Sequence, residues 1–211
     1  MFYGFARGLL LGLSKVLFRI GISGKEHVPA NGAFIVAPSH RSYLDTPFVS
    51  FITRRPIRFM AKEELFTNAF GRRLFTALGA IPVERGSASA RTAMKAIQHT
   101  LEAGDAAAVY PEGTRRHGPD IGELFDGTAY LAVKLGVPIV PVGIGGSEEI
   151  LASGKKLPRL HKVSVRVGVP IYPPVDASTR KRADLVAISD ELLKSLQALF
   201  DEARAEAGCT H

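Results

Sequence analysis

His40 and Asp45 stand five positions apart in APSHRSYLDTP, residues 37–47. Five helical residues advance by ~500°, so one helix would hold the two side chains well apart. A strand end followed by a turn removes that objection. An aspartate accepting from one imidazole nitrogen fixes the tautomer, leaves the other nitrogen free to take a proton, and stabilises the resulting imidazolium. This pairing supplies the base and its orienter. No G-x-S-x-G elbow occurs and the one cysteine is Cys209, near the C-terminus, so the simplest nucleophile is a hydroxyl on the substrate. A competing reading makes Asp45 or Thr46 the N-cap of a helix that Pro47 helps to start. One turn can satisfy both readings.

Two other stretches add groups suited to an anion. In YPEGTRR, residues 110–116, Gly113 and Thr114 are expected to offer backbone amides in a tight turn, and Arg115 a planar fork of donors matched to phosphate. Glu112 would hold that arginine or orient a substrate hydroxyl. In GAIPVERG, residues 79–86, Arg85 closes an apolar run and adds a cation.

The elements that must position these residues follow from an alternation of short apolar runs and helical patterns, which argues for an α/β fold. Strands are expected at 33–38, 57–61, 80–84, 106–110, 138–144 and 162–169. The first and fourth lead into His40 and Glu112. Ala90, Ala93, Met94, Ile97 and Leu101 recur at helical spacing before Gly104, and Leu185, Ile188, Leu192, Leu196 and Leu199 mark a C-terminal helix. Between 58 and 86 the pattern predicts a short helix, a turn at Gly71, and a second helix whose Arg72 and Arg73 flank an apolar surface. The expected fold is a single α/β domain, with a mixed central sheet flanked by helices and an amphipathic N-terminal helix.

The 211 residues suffice for one sizeable core. Lys and Arg outnumber Asp and Glu by 27 to 20, a formal charge of +7 that favours anionic partners. Nucleic acid is disfavoured, because the basic residues are scattered, aromatics are 8%, and neither zinc-ligand spacing nor a recognition-helix signature is present. A single cysteine excludes an intrachain disulfide and fits a reducing compartment. In FYGFARGLLLGLSKVLFRIGI, Arg7, Lys15 and Arg19 interrupt the apolar run too often for a membrane span, and the charges also fit a signal peptide poorly. On a helical wheel Arg7, Ser14, Lys15 and Arg19 share one arc while Phe2, Leu9, Leu13 and Leu17 point elsewhere. Residues 1–22 therefore read as a helix that packs on the domain or lies in an anionic membrane surface, with residues 23–211 as the domain proper.

Together these stretches resemble the glycerolipid acyltransferase family, over about residues 20 to 170. The resemblance rests on four blocks in order: HxxxxD from His40 to Asp45, with Ser42 also matching; Ile81 to Arg85, preceded by MAKEELF; EGTR from Glu112 to Arg115; and the proline-containing strand Val137 to Val142. Departures are Ser39 where asparagine often precedes the histidine, Pro82, Val83 and Glu84 where Phe-Ile-Asp is frequent, and Asp126 where lysine often precedes the glycine. The resemblance implies that His40 is the general base and Asp45 its orienter, with Ser42, Arg85, Glu112, Gly113, Thr114 and Arg115 on the substrate. It implies an acyl donor that is a thioester on coenzyme A or acyl carrier protein, an acceptor such as lysophosphatidic acid, and no metal or redox cofactor. It further implies a peripheral protein on the cytoplasmic face of the membrane, making phosphatidic acid for phospholipid biosynthesis. The alternatives are a same-family enzyme for another acceptor (glycerol-3-phosphate, another lysophospholipid or an amino-acid lipid), a non-catalytic phospholipid-binding module, and a hydrolase using water.

Overall fold

The computed structural model describes residues 8, 12–83, 87–150, 159–177, 179 and 181–209. Seven strands form one sheet: β1 (Gly21–Ser23), β2 (Phe34–Pro38), β3 (Ile57–Lys62), β4 (Ala80–Val83), β5 (Ala106–Ala108), β6 (Ile139–Gly145) and β7 (Ser164–Val167), in spatial order β1-β7-β6-β2-β5-β3-β4. All neighbouring pairs are parallel except β6 with β7, so the sheet is mixed, as expected. All six expected strands are present, within a few residues at each end. β1 was not foreseen.

β2, at the centre, is sealed on both faces, which is why it reads as a continuous apolar run rather than an alternating one. Phe34 and Val36 pack with Phe48, Val140, Val142 and Val165 on one side, while Ile35 and Ala37 pack with Ile97, Leu131, Ile188 and Leu192 on the other. The second face is covered by helices Ser87–Glu102, Gly127–Leu135 and Arg182–Ala207. The last of these lies directly on β6. A Cβ at Gly143 would fall 2.3 Å from the carbonyl carbon of Leu199, and one at Gly145 2.4 Å from that of Ala203. Two glycines therefore let helix backbone touch strand backbone, an approach any side chain would block.

The expected turn at Gly71 is corrected. Gly71 lies inside the helix Ala69–Ala77, which follows a 3-10 turn at Glu63–Phe66. Its lack of a side chain serves packing, because a Cβ there would sit 2.3 Å from the Leu65 carbonyl oxygen. Arg72 and Arg73 are exposed, as the sequence suggests. Of the N-terminal segment, residues 12–17 are helical, with Leu13, Val16, Leu17 and Lys15 exposed, whereas Phe18 and Ile20 join the core. Phe2, Arg7 and Leu9 lie outside the described residues.

Candidate active site

Three adjacent parallel strands, β6, β2 and β5, deliver their carboxyl ends to one edge of the sheet. Crevices of α/β sheets open at such edges. After β2 come Ser39 and His40, and the helix Asp45–Val49 begins five residues further on. Its first residue turns its carboxylate backwards. Asp45 Oδ2 accepts from the backbone amides of Arg41 and Ser42, both at 2.7 Å, and lies 3.0 Å from His40 Nδ1. The helix has Leu44 at its N-cap and no side-chain cap bond. The N-cap reading of Asp45 is thus corrected: it satisfies amides of the preceding loop rather than of the helix that it starts. The aspartate is fully buried, whereas the imidazole keeps 18% of its surface open.

The ring of His40 stacks on that of Tyr110, with centroids 4.0 Å apart and planes 29° apart. The Tyr110 hydroxyl shares a 2.7 Å hydrogen bond with Thr46 Oγ1. Burial, and secondly the negative charge of Asp45, push the Tyr110 pKa well above the ordinary phenol value, against the opposing effect of the Thr46 bond. This tyrosine stays neutral and acts as a flat wall. With Nδ1 held by Asp45 and one face held by Tyr110, the imidazole presents Nε2 as its remaining polar atom, and an Nδ1–H tautomer leaves Nε2 a base.

Glu112 occupies the turn after β5, but holds a different partner from the one expected. Its Oε1 accepts from Arg41 Nη1 at 2.8 Å and from the His40 amide at 3.2 Å, and its Oε2 from the Gly122 amide at 3.0 Å. Glu112 is fully buried and Arg41 is 5% exposed. The anticipated grip of Glu112 on Arg115 is therefore corrected, and its carboxylate joins the two motifs from beneath. Arg41 also donates to the carbonyls of His40, Gly118 and Asp120 at 3.0, 3.3 and 2.9 Å and lies 4.6 Å from the centroid of Phe200.

The loop amides behave differently from the expectation. Gly113, at φ 66°, occupies the left-handed region that favours glycine. Its amide closes the turn onto the Tyr110 carbonyl at 3.0 Å, so it is not offered outward. The Arg116 amide returns to the His40 carbonyl at 2.9 Å. Ser42 is buried, and its hydroxyl accepts from the Leu44 amide at 3.3 Å, placing it inside the loop rather than on its open side. Thr114 and Arg115 are exposed, and the Arg115 guanidinium lies 3.5 Å from the centroid of the Tyr43 ring. Cation–π contact orients that charge without neutralising it. Arg85 lies outside the described residues. The strand before it, β4, ends on the same edge, three strands from β2, a span of about 14 Å at ~4.8 Å per strand.

Two residues at this site escaped sequence reasoning. Arg41 sits inside the HxxxxD block, but its burial depends on a carboxylate 71 positions away. Ser147, 102 positions from Asp45, donates to its Oδ1 at 2.5 Å. A serine just after an apolar strand and the glycine that follows it, Gly146, was the only available signal.

The arrangement is a base with its orienter, open on one side, beside a stacked arginine suited to an anion. A family model described as Acyltransferase matches residues 19–145. The chain belongs to the acyltransferase family. Among its relatives, 1-acyl-sn-glycerol-3-phosphate acyltransferase of Bacillus subtilis (strain 168) is 27% identical over 95% of this chain and 99% of its own length. The protein of that name from Streptococcus pneumoniae is 29% identical over 97% of this chain and 75% of its own. The alpha form from Bos taurus is 29% identical over 87% of this chain, which covers only 63% of that longer protein. The crystal structure of the 1-acyl-sn-glycerophosphate (LPA) acyltransferase PlsC from Thermotoga maritima has the same fold. It aligns with a TM-score of 0.72 at 23% identity, over 98% of this chain and 83% of that one.

Proposed function

We propose that this acyltransferase moves a fatty acyl group from a thioester donor, acyl-CoA or acyl carrier protein, to the free hydroxyl of 1-acylglycerol-3-phosphate, giving phosphatidic acid. The observation that carries the reading is the 3.0 Å contact of His40 Nδ1 with a buried Asp45, in a loop whose two serines, Ser39 and Ser42, turn their hydroxyls to the amides of Ile144 and Leu44. The names of the relatives supply the acceptor.

In the proposed reaction His40 Nε2 takes the proton of the glycerol hydroxyl as its oxygen attacks the thioester carbonyl. The tetrahedral intermediate collapses, the C–S bond breaks, and the departing thiolate receives the proton from the imidazolium. Asp45 stabilises that imidazolium without itself taking a proton. The scheme uses no metal or redox cofactor, because the thioester is already activated and the leaving thiolate is stable. The amides at 40, 41 and 42 are engaged by Glu112 and Asp45, so the donors for the oxyanion are other than these three. Arg115, whose exposed guanidinium is oriented by the Tyr43 ring, is proposed as one contact to the acceptor phosphate, and Arg85 as a second.

A lipid acceptor requires access to a membrane. Among the described residues no helix is long and apolar enough to cross one. The exposed Leu13, Val16 and Leu17, beside Lys15 and Arg19, support a helix lying in the surface of an anionic leaflet. We therefore propose peripheral attachment at the cytoplasmic face.

The test supplies the purified chain with acyl-CoA or acyl carrier protein thioesters and lysophosphatidic acid. Free thiol and phosphatidic acid should appear in equal amounts. No product from either donor across lysophospholipid, glycerol-3-phosphate and amino-acid-lipid acceptors would overturn the enzymatic reading in favour of a non-catalytic lipid-binding module. Thiol release without acyl transfer would indicate hydrolysis instead.

A further inference from the structure

We infer that Ser147 is a positioning residue for the reaction, holding Asp45 from behind so that its second oxygen points at His40. The inference rests on the proposed role of His40 and Asp45 and extends their pair into a chain of three. Ser147 follows β6 and is fully buried, and its hydroxyl donates to Asp45 Oδ1. The opposite oxygen, Oδ2, takes the amides of Arg41 and Ser42 and faces His40 Nδ1. A carboxylate gripped only through Oδ2 would swing about that atom. The serine fixes the other end, so the plane of the carboxylate, and with it the plane of the imidazole, is set by residues that follow two different strands, β2 and β6.

The hydroxyl also has an electrostatic effect of definite sign. A donor to Oδ1 draws charge from the carboxylate and weakens its hold on the His40 imidazolium. Removing the donor leaves Asp45 a stronger partner for the protonated ring. The His40 pKa should therefore rise, and the base should be lost to protonation at a higher pH.

Among the described residues, four charged or titratable groups bear on Asp45. His40 meets it from its own loop. Tyr110 senses its charge from beyond β5 and stays neutral, because burial raises its pKa. Glu148, next to Ser147, also senses Asp45; burial raises its pKa and the Arg204 guanidinium, 3.4 Å away, partly offsets that. Arg41 reaches Asp45 through its amide, while its guanidinium is committed to Glu112. Glu148 is the carboxylate next to Ser147 that could also shift with it, and Glu148→Gln isolates its share; Glu112, which takes the His40 amide, and Tyr110, stacked on the ring, are unchanged in every variant.

The experiment measures two things on the full chain: the pH profiles of kcat and of both KM values, and the NMR titration of histidine-labelled protein, with the His40 signal identified among six by its loss in His40→Gln. Ser147→Ala should lower kcat about ten-fold, leave both KM values within two-fold, and raise the His40 pKa by about half a unit or more. Ser147→Thr, which keeps the hydroxyl, should restore both readouts. Ser147→Cys keeps the shape with a poor donor and should behave as Ser147→Ala, so it carries the test if the alanine variant does not fold. Unchanged kcat and an unmoved or lowered His40 pKa in a folded Ala or Cys variant would overturn the inference, as would an equal shift in Glu148→Gln. If the wild-type chain turned over no donor and acceptor pair, the proposed function would fall while the NMR titration still decided the role of Ser147.

Discussion

Two arginines close opposite edges of the same sheet. Arg41, at the carboxyl edge, gathers the carbonyls of His40, Gly118 and Asp120 and lies 4.6 Å from the Phe200 ring centroid. Arg55, at the amino edge, gathers the carbonyls of Pro29, Gly32 and Gly104 and lies 5.1 Å from that of Phe34. Both pin loops through a fork of donors above an aromatic ring. They differ in burial and in counter-charge. Arg41 is sealed against the buried carboxylate of Glu112, whereas Arg55 is partly open to water and bonds only neutral carbonyls among its described contacts. A partly hydrated guanidinium tolerates neutral partners, but one withdrawn from water needs a carboxylate. The same device thus serves as a tie at one edge and as part of a sealed ionic floor beneath the base at the other.

That contrast can be broken most severely at Arg41. Arg41→Ala strands the Glu112 carboxylate in the interior, and urea denaturation should show a loss of about 3–5 kcal/mol, together with loss of turnover. Removing both charges in Arg41→Met with Glu112→Gln should be markedly less damaging than either change alone. A double change that merely added the two single losses would show that the ions are not coupled. Next in size, His40→Ala should lower turnover at least ~10²-fold with an unchanged denaturation midpoint. It separates the chemistry above the floor from the floor itself. At the opposite edge Arg55→Ala should remove about 1–2 kcal/mol of stability and leave kcat and both KM values as they are; altered kinetics would show that the two edges communicate. The smallest effect is expected from Arg115→Ala at the exposed tip. The KM for the acceptor should rise several-fold and the donor KM should stay constant, checked by varying each substrate in turn.

What the sequence made legible was local. His40 and Asp45 share one loop, so their chemistry and spacing appear within six letters, and the strands through the core appear as apolar runs because both faces are covered. What stayed hidden depends on partners distant in the chain. β1 is three residues, GIS, with no strand pattern of its own, and exists through its pairing with β7, where Gly21 meets Ser164. Arg41 looks like a surface cation until Glu112 is placed beneath it, and Ser147 looks like the start of any short helix until Asp45 is brought to its hydroxyl. Gly71 misled for a related reason: its missing side chain answers a carbonyl across a gap, and no turn is made there. The departure at Asp126 has a modest structural counterpart, since its carboxylate lies 3.6 Å from Arg182 on the surface.

The contact of the helix Arg182–Ala207 with Gly143 and Gly145 bears on how the protein is made as well as on how it is packed. A growing chain carries His40 and Asp45 side by side from an early stage. Ser147, Phe200 and the strand beside β1 emerge much later, and pairings across such separations form slowly. During synthesis the motif therefore precedes the serine and the phenylalanine that complete its surroundings. Phe200 lies beneath Arg41 only with the long helix seated on the two glycines, so the finished site depends on contacts that span most of the chain.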